Sequence, residues 1–148
     1  MVESTPDPPA PPASMTPAPA LRSLDRLLGT WQVTGPDLDG QVTFTWMPGG
    51  FFLMQQVDLQ QNGQQTQGIE IIGYDSDSNS LKSRYFDSNG SILEYTWEVS
   101  DTTLTIWFGS ADSPAFYRGQ FSADGNTNAG AWEWPGGGYE STMTRVPA

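Results

Sequence analysis

Turn signals recur along most of this chain at short, even spacing, and no helical period intervenes between them. Gly35-Pro36-Asp37, Pro48-Gly49-Gly50, Asn62-Gly63, Asp75 to Ser80, Asp87-Ser88-Asn89-Gly90, Ser100-Asp101, the loop through Pro114, Asp124-Gly125-Asn126 and Pro135-Gly136-Gly137-Gly138 punctuate it roughly every 8 to 14 residues. Between them lie short segments of strand character: Trp31 to Val33, Val42 to Trp46, Phe51 to Gln60, Gln67 to Tyr74, Leu81 to Phe86, Ile92 to Val99, Leu104 to Phe108, Phe116 to Phe121, Asn128 to Trp134 and Tyr139 to Val146. Asn-Gly and Asp-Gly pairs between such segments are strong hairpin signals, and consecutive hairpins make an up-and-down meander. An open meander of this length would expose two strand edges, whereas closing it removes both. The expected fold is therefore all-β, an antiparallel up-and-down barrel of about ten strands, with a two-sheet sandwich as the alternative. Six Trp, five Tyr and seven Phe suit it, because bulky rings pack well on a pleated face.

One segment departs from this rhythm. Leu21, Leu24, Leu27 and Leu28 recur at i, i+3, i+6 and i+7, with Arg22, Asp25 and Arg26 between them and Gly29 as a stop. They predict a short N-terminal helix of about two turns. It is too short to stand alone and so must dock, and its leucine stripe is expected to plug or cover one barrel end. Ahead of it, residues 1–20 hold seven of the twelve prolines among Ala, Ser and Thr. Such a stretch buries too little apolar surface to offset its chain entropy. It reads as an extended tail or linker, leaving 21–148 as the folded domain.

Composition excludes several classes of chemistry. The net charge of −11 repels phosphate backbones and anionic lipid surfaces, so neither nucleic acid nor membrane is an expected partner. There is no cysteine, which removes disulfides, thiolate metal sites and thiol nucleophiles. There is no histidine, which removes the usual base near neutral pH and the commonest metal and haem ligand. Asp75-Ser76-Asp77-Ser78-Asn79 imitates the start of a calcium loop but has Ser80 at the glycine position and Phe86 at the glutamate position. No metal and no cofactor are expected. With no transmembrane run and no basic segment leading into an apolar one, a cytoplasmic location is expected.

Gly29-Thr30-Trp31 opens the first strand directly after the helix, and Arg145 closes the last. This resembles the calycin arrangement, in which a Gly-x-Trp on the first strand packs under an arginine from the last. The pairing has a physical basis, since a guanidinium stacks on an indole face while its donors take free carbonyls. The runs Phe44 to Leu53, Val57-Asp58, Gly68 to Asp75 and Arg84 to Gly90 are further similar to the bacterial lipocalin-like proteins grouped as domain of unknown function 1579. That resemblance implies a lipocalin-like barrel and no defined activity. Where that group carries a histidine before the Val-Asp pair, this chain has Gln55-Gln56, so no histidine-based function carries over.

In a barrel, successive side chains alternate between lumen and solvent, and inward polar groups are the site candidates. Glu70 stands out, flanked by Ile69, Ile71 and Ile72, where a carboxylate is costly unless paired; Arg84 on the next strand is its expected partner. Gln56 and Asp58 share a face and are expected to line the lumen with it, with Trp97 and Trp132 among the rings walling an apolar cavity. The tyrosines offer hydroxyls. The leading expectation is a barrel binding a small apolar or amphipathic ligand. The alternatives are a cofactor-free cyclase or isomerase working through Glu70, Asp58, Arg84 or a tyrosine, and an interaction or scaffold protein. Apolar residues on both faces of Phe51-Phe52-Leu53-Met54 allow either a monomer or a homodimer.

Overall fold

The computed structural model of the protein describes residues 16–148. The expected tail lies outside the described residues as far as residue 15. A 3-10 helix, Pro19–Leu27, precedes ten strands: β1 Gly29–Gly35, β2 Leu38–Trp46, β3 Phe52–Gln61, β4 Gln64–Asp75, β5 Ser80–Asp87, β6 Ile92–Val99, β7 Thr103–Phe108, β8 Phe116–Phe121, β9 Thr127–Trp134 and β10 Gly137–Arg145. Each strand pairs antiparallel with its neighbours in sequence, and β1 pairs with β10, so the sheet closes into an up-and-down barrel. The sandwich alternative is thereby set aside. Asn62 and Gly63, at φ 52° and 79°, form the two-residue β3–β4 turn whose twist matches that of its strands.

Alternation gives the barrel two ends of different character. The turns after β1, β3, β5, β7 and β9 gather at one end; the helix and the remaining turns lie at the other. The helix seals its end. Leucines three residues apart stack in line on a helix with three residues per turn, and Leu21, Leu24 and Leu27 are all at most 1 % exposed. They join Trp31, Phe44, Leu53, Ile72 and Leu81 in one apolar core. Leu28, expected in the same stripe, is instead extended (φ −56°, ψ 139°) and ends the helix. Pro19 opens the helix with a φ already suited to it, and Ala18 packs on the core, so the packed unit begins slightly ahead of residue 21. Among the described residues no helix is long and apolar enough to cross a membrane.

Closure is reinforced at the junction of first strand, last strand and helix. Trp31 lies directly across from Arg145 in the β1–β10 ladder, and the guanidinium sits 4.1 Å from the centre of the indole ring. A helix end leaves its last carbonyls without partners. Here Trp31 Nε1 donates to Leu27 O at 2.8 Å, Arg145 Nη2 donates to Arg26 O at 2.8 Å, and Arg145 Nη1 donates to Leu28 O. Arg145 Nε adds a bond to Asn126 Oδ1 at 3.0 Å. Gly29 has φ +109°, and a side chain there would stand 3.2 Å from Arg145 Nη1, so glycine serves both the backbone turn and the approach of the guanidinium.

On the outside, Ile69, Phe86 and Ile92 form an in-register row across β4, β5 and β6, each between 44 % and 65 % exposed. Of the apolar residues on both faces of β3, Leu53 is buried and Phe52 half exposed.

If the stack and its carbonyl bonds hold helix and barrel together, Arg145→Ala should lower unfolding stability by about 2–4 kcal/mol, since charge-assisted hydrogen bonds and a stacked cation are lost together. Arg145→Lys should recover only part of this, because an ammonium lacks the planar fork. Urea melts of the three proteins compare them directly, and an alanine variant as stable as wild type would remove the junction from the account.

Candidate functional site

The closed ladder sets the phase that the sequence leaves open. The lumen receives Val33, Leu38, Val42 and Phe44 from β1 and β2, Gln55, Val57 and Leu59 from β3, Glu70 from β4 and Tyr85 from β5. From β6 to β10 it receives Tyr95, Trp97, Leu104, Ile106, Tyr117, Trp132, Tyr139, Ser141 and Met143. Together they enclose a cavity of about 280 Å³. The helix closes one end, so the cavity faces out through the other, past Gln61, Thr66, Tyr85 and Tyr139.

Among the described residues Glu70 is the cavity's only carboxylate. It is 6 % exposed and holds three donors: Gln55 Nε2 reaches Oε1 at 3.1 Å, while Ser83 Oγ and Trp97 Nε1 reach Oε2 at 2.5 and 3.1 Å. Trp97 Nε1 also lies 2.9 Å from Ser83 Oγ, which ties the donors into one network. Burial pushes the Glu70 carboxyl up to about 7, against the pull of Ser83 and Trp97, which favour the ionised form. No cation offsets the burial. Arg84, expected as its partner, stands on the outer face and pairs with Glu94 at 3.1 Å, directly across the β5–β6 ladder.

The aromatic residues of the wall pack in two groups. Trp132 packs against Tyr95 and Tyr117 with ring centres 6.1 and 5.7 Å apart, and Phe44 meets Trp97 edge-on at 6.3 Å. Burial raises Tyr85 to about 12 and lifts Tyr95, Tyr117 and Tyr139 as well; the negative charge of Glu70 adds to the rise in Tyr85 and Tyr95. All four keep their protons near neutrality. The Tyr117 hydroxyl donates to Asn128 Oδ1 at 2.6 Å, so that proton is already committed.

Trp97 and Trp132 both line the cavity, Trp97 donating to Glu70 and Trp132 packing on Tyr95 and Tyr117. Gln56 and Asp58 do not: both are exposed on the outer face, where Gln65 Nε2 donates to Asp58 Oδ1 at 3.0 Å. With a side-chain period of two, a one-residue difference in phase moves a whole set of side chains to the other face. The lumen takes Gln55 instead. Trp107 and Arg118 also face outward, the latter over Phe116 at 4.8 Å. Trp46 leaves the lumen to donate to Asp25 of the helix at 2.8 Å. In the loop that imitates a calcium site, Ser78 Oγ donates to the Asp75 carboxylate at 2.6 Å.

Gln55 and Ser83 are the partners that the sequence reading missed. A signal for Gln55 existed. The two-residue turn at Asn62-Gly63 pairs Gln61 with Gln64, and counting back along that ladder sets Gln55 directly across from Glu70.

The raised carboxyl has a consequence for stability. A folded-state value near 7 against an ordinary 4.5 means that the folded protein holds a proton which the unfolded chain releases. The resulting stabilisation is complete below pH 4.5 and is lost as pH rises to about 7, a change of about 3 kcal/mol. Asp75 and Asp124, held below their ordinary 3.8 chiefly by Ser78 and Ser122, slope the opposite way and act only at lower pH. Urea melts at pH 5 and pH 8 should show wild type losing stability across this interval and Glu70→Gln staying nearly flat. Equal slopes would mean that Glu70 is not the buried acid described.

Residues 16–106 match the model of a family described as a protein of unknown function, DUF1579. No curated protein matches the chain. The match runs from ahead of the helix through most of β7 and contains Gln55, Glu70, Ser83 and Trp97, the whole hydrogen-bond network around Glu70. It spans more than half of the 148 residues, and the chain belongs to the DUF1579 family.

Proposed function

We propose that this protein binds a small amphipathic molecule in its lumen, the apolar part against the aromatic wall and the polar head at Glu70. The observation that carries this reading is a 280 Å³ cavity, mostly apolar, with Gln55, Ser83 and Trp97 converging on one carboxyl. Ligand sites characteristically combine an apolar concavity with a few placed polar groups. An apolar cavity of about 150 Å³ takes a benzene-sized guest, so by proportion this one suits roughly ten to twelve non-hydrogen atoms.

Native mass spectrometry of protein purified gently from its own host should reveal a stoichiometric extra mass on the order of 150–200 Da, the weight of a guest of that size, which disappears on denaturation. Thr66→Trp, which places a large ring at the cavity's open side, should lack it. An extra mass that survives in this variant would put the ligand outside the lumen.

A second reading, a cofactor-free isomerase or cyclase, is favoured by one observation: the lone carboxyl sits near neutrality, where a general base works best. Phenylacetone, a carbon acid of suitable size, should then exchange its α-protons with deuterated solvent faster in the presence of wild type than of Glu70→Gln, as followed by NMR. Equal rates would leave binding as the sole reading.

A further inference from the structure

We infer that the lumen is selective for organic cations, specifically a small primary ammonium carried on an aromatic body, and rejects carboxylates of the same shape. The inference rests on the lumen-binding reading above and names the ligand class for that site.

The first support is where the chain keeps its positive charge. It has six cationic side chains, and none lines the cavity. Arg22 lies over Trp46 and Arg26 over Phe121, both beside the helix. Arg145 is spent on Trp31 and the helix carbonyls. Arg84 pairs with Glu94 outside, Arg118 covers Phe116 outside, and Lys82 borders an outer groove near Asp75. An anionic ligand head would find no counter-charge in the lumen. It would instead meet Glu70, and two carboxylates sharing one dry site repel strongly.

The second support is the unfilled capacity of Glu70. Its Oε2 accepts two hydrogen bonds, from Ser83 and Trp97, while Oε1 accepts one, from Gln55. A carboxylate oxygen has room for two, so Oε1 retains an acceptor position in a residue that lines the cavity. An ammonium supplies three donors and the missing charge together. The third support is the wall. The linked rings of Tyr95, Trp132 and Tyr117, with Phe44 on Trp97, offer π-faces that attract a cation and pack an aromatic body. The net charge of −11 further concentrates cations around the molecule.

Proton bookkeeping supplies an independent signature. The other titratable groups facing the cavity are Tyr85 from β5, Tyr95 from β6, Tyr117 from β8 and Tyr139 from β10, all held protonated. Burial holds the Glu70 carboxyl up at about 7, and an ammonium beside it drives it to the ionised form. Binding at pH 7 then releases a fraction of a proton per ligand.

The test is isothermal titration of the full chain at pH 7 with three probes sharing one body: 2-phenylethylamine, 2-phenylethanol and 3-phenylpropanoate, each in two buffers of different ionisation enthalpy. The amine should bind one site at least about tenfold tighter than the alcohol, a gap of about 1.4 kcal/mol, with proton release, and the carboxylate should give no measurable heat. In Glu70→Gln the amine's advantage over the alcohol should shrink to within about threefold and the proton release should vanish. Alcohol or carboxylate binding as tightly as the amine, or an amine advantage that persists in Glu70→Gln, overturns the inference and leaves lumen binding standing. The ranking on wild type decides by itself if the variant fails to fold. No heat from any probe, together with a bare mass for the protein from its host, overturns lumen binding and this inference with it.

Discussion

A planar cation lying on an indole face holds this barrel in its working shape. Trp31 and Arg145 belong to the first and last strands, so their stack forms only when the sheet has closed. The same two side chains satisfy the three carbonyls that the helix leaves free at its end. Closure of the sheet and docking of the helix are thus one event. The docked helix in turn brings three leucines onto the core, and that end of the lumen becomes dry. Desolvation there raises the Glu70 carboxyl, so the chemistry of the site follows, through packing, from a contact at the opposite margin of the sheet. The family match ends at residue 106, yet β8 to β10, which complete the barrel and carry Arg145, lie beyond it.

Much of the architecture was legible in the chain because its signals are local. Each turn announces itself by residue type, and ten strands between such turns leave closure as the economical solution to the edge problem. The helix showed in its leucine spacing, although the threefold run Leu21, Leu24 and Leu27 suits the tighter 3-10 form that the helix adopts, and Leu28, four residues after Leu24, falls outside it. Glu70 showed through its apolar neighbours. The phase of each strand was less legible, because several segments are ambiguous at the one point that matters. β3 carries Gln55 beside Gln56 and Phe52 beside Leu53, and either phase yields a plausible inward face. Phase is a property of the closed ladder, and only register arithmetic from a turn of known length recovers it. That arithmetic selects Gln55 over Gln56 and sends Arg84 outward to Glu94.

Glu70 is also where local economy fails. A carboxyl buried without a counter-ion costs stability that an apolar side chain in its place would not, and its three donors soften this cost without removing it. Departures of this kind cluster at functional positions, where a residue is held for what it does rather than for how well it packs. The contrast with Asn128 is instructive. It is fully buried and polar too, but its oxygen is taken by Tyr117, its amide nitrogen finds no partner among the described residues, and it does not line the cavity.

The sealed end makes the barrel a cup rather than a pipe. Whatever occupies the lumen must leave by the opening through which it came, so a second molecule cannot push the first out from behind. Exchange is then sequential, and residence time depends on how readily the rim yields. Four of the five rim connections are tight, and β1–β2, β3–β4 and β9–β10 use two residues each. The long one is the stretch 109–115 between β7 and β8, with Phe108 beside it resting its ring on Tyr95. If the lumen takes a guest as proposed, entry and exit share this one rim, and the seven-residue segment is the longest connection on it.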